Sequence, residues 1–505
     1  MKSIFRATAV LSSASVISIL AGLVSAKVSA VLLGPGGMGL MGLLQSLLGL
    51  SAMIAGLGAG VGLVRAGARA LATEDTRELA ALRSGAWLLC WSAGGAFALF
   101  VILMRTPLSR VMLGSENQQR AVMLVAATLL LTLASAVQTS ILNAHHRVSE
   151  LARVQMLTSV LGLAASVTII WRWRAQGIPW AVLAMGAVAW GVSYYYARRR
   201  TPAPAVQPTF NETWIAAGSL LRFGVPYTAS MLVGTGLQLA LPVLVLHTLS
   251  TDDVGFYRAA TAVSVTYLGF LVAAMAQDYY PRVSAVGDQG EVLNKLINEQ
   301  CRLVLLIAGP IILGMLAVLP YLVPLVYSSQ FTPAVTLLEW QLIGDIFKFA
   351  AWTMSFVILA RSGSKLFFGL ELVGGGSLLL FSVVGIRWFG LEGLGVAFLC
   401  STLTYGLVCW ALLRRGIGLR WTKENQLIFM TLLLMAAAIR LLPYVGLERV
   451  RTPVALVLAA LASAGSLYVI WVQVGGIRGL LTRDPPPEAK ISATEVADVA
   501  RLPLD

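Results

Sequence analysis

A few ionisable residues stand inside otherwise apolar runs, and they define the chemistry open to this chain. Lys27 lies in the run 7–33, Arg65 at the end of 41–65, Arg258 at the start of 255–278 and Lys348 near the middle of 334–360. A charge at the centre of a membrane-crossing helix costs about 2.5–3.5 kcal/mol, so such groups face protein or water and mark ion or substrate paths. Lys27 and Arg258 come from different halves of the chain at comparable depth, and facing each other they would make an anion site. The plainer reading is that Lys27 snorkels and Arg258 anchors a helix end. Arg65 suits either an anchor on the inner side or the mouth of a cavity. The run 334–360 also holds Glu339 and Asp345, and Asp345 with Lys348 is an i, i+3 pair on one helix face. That pair is either an internal neutralisation or part of a substrate or ion site. Asp345, Glu371 and Asp278 are the candidates for proton or sodium coupling.

Other motifs reduce to structure. Gly56-Leu57-Gly58-Ala59-Gly60-Val61-Gly62 lies inside an apolar run, without the strand and acidic residue of a dinucleotide site. Close helix packing or a flexible break explains it, and Gly374-Gly375-Gly376 reads the same way. Gly34-Pro35-Gly36-Gly37 lacks Gly-Lys-Ser/Thr and is a turn. Asp252-Asp253 has no catalytic loop near it, and Ser250, Thr251 or Asp252 caps the following helix. His145, His146 and His247, and the cysteines Cys90, Cys301, Cys400 and Cys409, show no metal or disulfide spacing. Neither a cofactor nor a metal is expected.

The elements that must carry these residues are helices in a bilayer. Of 505 residues, 58% are hydrophobic and 12% charged, and mean hydropathy is +0.81. No soluble core hides that much apolar surface. A crossing needs about 20 apolar residues, and fourteen runs qualify: 7–33, 41–65, 84–104, 121–142, 155–171, 179–197, 223–248, 255–278, 303–325, 334–360, 367–386, 391–413, 426–442 and 453–474. Met1 to Ala30 has the look of a signal peptide, but the repeat described next gives it a structural partner, so it is read as the first crossing. The net charge of +14 falls mostly between the runs, as membrane anchors do. No nucleic-acid-binding motif accompanies it, so nucleic acid is excluded as a partner. With the N-terminus inside, the inner segments carry 25 of the 37 Lys and Arg and the outer loops eight. The positive-inside rule therefore puts both termini in the cytoplasm.

A shift of 216 residues lays Gly39-Leu40-Met41 on Gly255-Phe256-Tyr257 and Arg198-Arg199 on Arg414-Arg415. Two parallel six-helix repeats with two further helices account for this, a transporter plan that holds substrate between the halves. The expected organisation is a lobe over 1–197, a charged, Pro-rich cytoplasmic linker over 198–222 and a second lobe over 223–413. Two added helices over 414–474 and a disordered cytoplasmic tail over 475–505 complete it.

The segment from Ser25 to Leu40, with Lys27 ahead of Gly34-Pro35-Gly36-Gly37-Met38-Gly39-Leu40, resembles the opening of Wzx-type O-antigen and enterobacterial common antigen translocases. Ala55-Gly56-Leu57-Gly58-Ala59-Gly60 resembles their second helix. These belong to the polysaccharide transporter branch of the multidrug/oligosaccharidyl-lipid/polysaccharide exporter superfamily. The resemblance implies a V-shaped, all-α membrane bundle with a cationic central cavity working by alternating access in a bacterial inner membrane. The implied substrate is an undecaprenyl-pyrophosphate-linked oligosaccharide, with membrane lipids and polysaccharide polymerase machinery as further partners. Lys27 matches the family position; Arg258 and Lys348 rest on burial alone. Fourteen crossings exceed the twelve of many Wzx members and match the lipid II flippases. A multidrug cation antiporter on the same plan would call for carboxylates where helix one offers Lys27. A glycan polymerase or ligase would need a large outer loop, and a scaffold would need no buried charge.

Overall fold

The computed structural model describes residues 2–201, 206–287 and 289–473. The tail expected over 475–505 lies outside them. The described chain is helical from end to end: α1 (Lys2–Gly56), α2 (Ala59–Ala72), α3 (Thr76–Leu103), α4 (Arg105–Leu113), α5 (Gln119–Ala144), α6 (Val148–Trp173), α7 (Ile178–Arg200), α8 (Phe210–Thr248), α9 (Thr251–Thr261), α10 (Leu268–Val286), α11 (Gly290–Val326), α12 (Pro333–Phe389), α13 (Glu392–Ile417), α14 (Lys423–Leu441) and α15 (Glu448–Gln473). Among the described residues ten helical stretches are long and apolar enough to cross a membrane. Val16–Gly56 and Val148–Arg200, at 41 and 53 residues, exceed one crossing each. Over their described residues the fourteen predicted runs lie on helix to within a residue at their ends, except 41–65, which is broken at Leu57 and Gly58. The surface is apolar where a soluble protein's would be polar: Trp171, Leu325, Trp388 and Leu434 are each more than 60% exposed.

The breaks between crossings are tighter than the sequence suggests. Gly34, at φ 67°, is the one non-helical residue inside α1, ahead of Pro35. The glycine-rich run does break, at Leu57 and Gly58 (φ 48° and 66°). Pro333–Phe389 is assigned as one helix, yet it doubles back. Leu337 and Gly344 meet Gly395 and Phe398 in ascending order, whereas Gly374 and Gly385 meet Ser401 and Gly393 in descending order. The two halves of α12 therefore flank α13 as antiparallel helices. The connection expected to run to residue 222 is helical from Phe210, because Thr209 and Glu212 form a capping box.

Helix α1 packs along α6 and α9, α5 along α3 and α7, and α11 along α12 and α15. Leu44, Leu129, Leu313 and Leu316 are fully buried in the core. Where α1 crosses α9 the backbones nearly touch. A Cβ on Gly39 would lie 2.2 Å from the Thr251 carbonyl oxygen and 3.1 Å from Gly255 N, and one on Gly255 would lie 2.1 Å from the Pro35 carbonyl. Only glycine permits that approach. Gly39 and Gly255 are also equivalent under the 216-residue repeat. The two residues that the shift pairs therefore meet at the α1–α9 crossing. At the opposite ends of these helices, a Cβ on Gly58 would lie 2.3 Å from the Gly224 carbonyl oxygen, joining α2 to α8.

Candidate functional site

The α1–α9 crossing delivers Arg258 to the gap between the repeats. Two turns into α9, its guanidinium donates to the Gly42 carbonyl oxygen at 2.6 Å, the Ser46 hydroxyl at 3.1 Å and Gln45 Oε1 at 3.4 Å. A Cβ on Gly42 would sit 2.0 Å from Arg258 Cδ, so the glycine opens the lane through which the side chain crosses. Residues 42 and 258 are again repeat-equivalent. Among the described residues Arg258 has no carboxylate partner; its charge is met by neutral acceptors alone.

Two cavities meet at Arg258 and Ala262. One, of about 450 Å³, sets the hydroxyls and amides of Ser18, Ser25, Ser29, Gln45 and Gln155 among apolar wall residues such as Ile19, Met38 and Met41. The other, of about 580 Å³, lies toward α12 and α13 and takes in Lys348, Glu371, Gln341, Trp352 and Tyr405. Gln341 is 1% exposed, and its Oε1 has no hydrogen-bond partner among the described residues. An acceptor buried without a donor costs about 1–3 kcal/mol, so a ligand hydroxyl or N–H would find this position prepared.

Lys348 reaches the second cavity with its Nζ 3.2 Å from Asp345 Oδ1 and over the rings of Trp352 and Phe398, at 5.2 and 5.5 Å. Asp345 is fully buried and also accepts from the Ser264 hydroxyl at 2.7 Å. Ser264 belongs to a six-residue π-helical segment, Ala262–Tyr267, between α9 and α10. Such wide turns recur at functional sites because they shift one residue out of helical register. The i, i+3 pair read from the sequence is thus also a contact from α12 to the segment following Arg258.

Other predicted residues lie elsewhere. Lys27 lines neither cavity. Its Nζ donates to the Pro324 carbonyl oxygen at 3.3 Å, in the last turn of α11, where helix carbonyls are left unpaired and a cation is favoured. The expected face-to-face pair of Lys27 and Arg258 is therefore replaced by two separate links from α1, one to α11 and one from α9. Arg65 is exposed and stacks 4.7 Å over the Phe223 ring of α8. Asp278, 74% exposed midway along α10, pairs with Arg282 at 3.1 Å.

Sequence reading missed Gln341 and Gly42, and it could not assemble the partners of Arg440. That side chain, 6% exposed, lies 3.0 Å from Glu339 and 2.5 Å from Glu392, and Arg451 also pairs with Glu339. The cluster ties α14 and α15 to α12 and α13. Among the described residues no group of His, Cys, Asp and Glu could hold a metal ion. His247 instead contacts the Val111 carbonyl, and Ser250 caps α9 by accepting from Asp253 N at 3.1 Å.

The model of the polysaccharide biosynthesis protein family matches residues 28–336. The lipid III flippase of Escherichia coli (strain K12) is 22% identical over 432 residues, covering 84% of this chain and 100% of its own. The lipid III flippase of Shigella flexneri matches to the same extent. Among solved structures, the lipid II flippase MurJ in an inward closed conformation aligns with TM-score 0.73 and 12% identity over 92% of this chain and 99% of its own. An inward-facing multidrug resistance MATE family transporter of the MOP superfamily aligns with TM-score 0.61 and 18% identity, over 79% and 94%. The fold is that of these membrane transporters.

Proposed function

The chain belongs to the polysaccharide biosynthesis protein family, and on that footing we propose that it flips an undecaprenyl-pyrophosphate-linked oligosaccharide of the O-antigen type across a bacterial inner membrane. The observation that carries this reading is Arg258, a partly buried cation held by neutral acceptors where two cavities meet. A pyrophosphate carries about two negative charges and is expensive to bring out of water unless cations and hydrogen bonds receive it. Arg258 and Lys348 are the receiving groups, and the hydroxyls and amides set in the mostly apolar first chamber would hydrogen-bond sugar. Lys27 and Arg65 act at the two ends of the gap, joining α1 to α11 and α2 to α8. Residues 1–197 and 223–413 are the two lobes that rock about the α1–α9 crossing, with both termini in the cytoplasm. Asp345 and Glu371 are the proposed coupling acids for protons or sodium; Asp278, exposed beside Arg282, is the weakest of the three. Polysaccharide polymerase machinery would take the flipped product.

The antiporter reading draws on the likeness to the MATE fold and on Glu371 in the cavity wall. Arg258 and Lys348 in that wall oppose a cationic substrate. Leaflet assay of undecaprenyl-linked oligosaccharide in cells depleted of the protein tests the proposal. It expects accumulation on the cytoplasmic face with loss of surface polysaccharide. Normal outer-leaflet delivery together with loss of cation efflux would replace it with the antiporter.

A further inference from the structure

A cavity of about 790 Å³ lies on the far side of α12 and α13 from the site above, within the roughly 300–1,000 Å³ typical of ligand pockets. Its floor is Ala350, Ala351 and Met354 of α12. Its walls are α13, through Leu403, Leu407 and Trp410, and α14, through Phe429. Leu403 and Leu407 are 39% and 55% exposed on an apolar helix face, so the groove opens sideways into the bilayer. It shares no lining residue with the Arg258 cavities. A molecule whose phosphate lies at Arg258 would approach from the opposite face of α13.

One end of this groove is cationic. Arg414, stacked 4.8 Å over Trp410, and Arg420 both line it, and no carboxylate does. The Arg420 backbone is held by Asn298, whose Nδ2 donates to its carbonyl at 2.9 Å. Trp421 also lines the groove, packing its indole edge-to-face with Phe429 of α14. An aromatic and aliphatic trough with two guanidiniums and no carboxylate at one end describes an amphiphile with apolar chains and one anionic phosphate. By the charge count these arginines fall on the inner side, where anionic lipids attract basic side chains.

We propose that this groove seats an anionic glycerophospholipid of the inner leaflet. Its acyl chain lies between α13 and α14, and its phosphate takes donors from Arg414 and Arg420. The occupant fastens α14 to the second lobe and is separate from the transported lipid.

The test uses the full-length protein purified in detergent, with dioleoylphosphatidylglycerol as probe and dioleoylphosphatidylcholine as control. Melting temperature is titrated against lipid, and bound lipid is counted by intact-complex mass spectrometry. Phosphatidylglycerol is expected to raise the melting temperature saturably and to persist as a one-to-one adduct. Arg414→Gln with Arg420→Gln should weaken its apparent affinity by about 30-fold, the effect of removing two phosphate-facing cations. Gly406→Leu, whose added side chain starts 3.6 Å from Ala351 Cβ and fills the trough, should abolish the adduct while keeping both arginines. Equal stabilisation by phosphatidylcholine, or an adduct that survives in both variants, overturns the proposal. So does stoichiometric displacement by undecaprenyl phosphate, which would assign the groove to the transported lipid's tail. No readout involves flipping, so the substrate reading stands or falls separately.

Discussion

Gly42→Ala is expected to impair transport while leaving the protein folded. The added Cβ would lie 2.0 Å from Arg258 Cδ, 2.3 Å from Nε and 2.7 Å from Cζ, against an optimal contact of about 3.5–4.0 Å. These are the far atoms of a flexible side chain, so Arg258 retreats by roughly 1.5 Å and the helices need not part. That displacement takes the 2.6 Å bond to the Gly42 carbonyl past hydrogen-bonding range. A hydrogen bond to a charged group contributes about 1.5–3 kcal/mol. The displaced guanidinium stays in a polar cavity and recovers part of this through water. The net loss at the α1–α9 contact is about 1–2 kcal/mol, a factor of about 5–30 in the ratio of joined to parted lobes. Two assays read it: flipping of lipid-linked oligosaccharide in reconstituted vesicles, and distances between labels at Val31 and Leu325. Both positions are exposed, and the four natural cysteines would be replaced first. The Gly42→Ala, Arg258→Ala double variant should be no worse than Arg258→Ala alone, because the glycine acts through the arginine. Wild-type flipping with wild-type label distances in Gly42→Ala would refute the reasoning, and an additive loss in the double variant would show that residue 42 acts by another route.

Lys27→Ala should express normally and lose transport. With its bond to the Pro324 carbonyl removed, the loss of melting stability should stay near 1 kcal/mol; full flipping activity would remove Lys27 from the mechanism. Asp345→Asn leaves Lys348 without its carboxylate in a buried setting, so thermal unfolding should reveal a loss of about 3–5 kcal/mol. Adding Lys348→Met to that variant should restore most of this stability and none of the transport. Arg440→Ala leaves Glu339 with Arg451 alone and Glu392 with the Trp340 indole, so it should destabilise by about 1.5–3 kcal/mol in the same assay. Glu392→Gln in the Arg440→Ala background should recover part of it, and no recovery would mean the cluster is not electrostatic.

How far each feature could be read in advance follows from the range of the interaction behind it. Crossings depend on local hydropathy, so the predicted runs lie on helix, with 41–65 alone divided, at Leu57 and Gly58. The Asp345–Lys348 pair depends on three residues of helical spacing, and it forms at 3.2 Å. The cap of α9 by Ser250 depends on a neighbour three residues on. Connections proved harder, because short breaks carry little composition. Residues 210–222 are helical through a capping box, and Gly34 alone interrupts α1.

Contacts between distant segments divide more sharply. Two pairs that the 216-residue shift aligns are in contact, Gly39 with Gly255 and Gly42 with Arg258. No local pattern pairs Ser264 with Asp345, Lys27 with Pro324, or Arg440 with Glu339 and Glu392, which lie 81, 297, 101 and 48 residues apart. Sequence alone determined that this chain crosses a bilayer many times as a doubled helical bundle, because helix formation and hydrocarbon burial act within about 20 residues. It also marked which spans carry charge. Only the tertiary structure decided where each charge is met, since a buried ion takes whichever acceptor helix packing brings within hydrogen-bond reach.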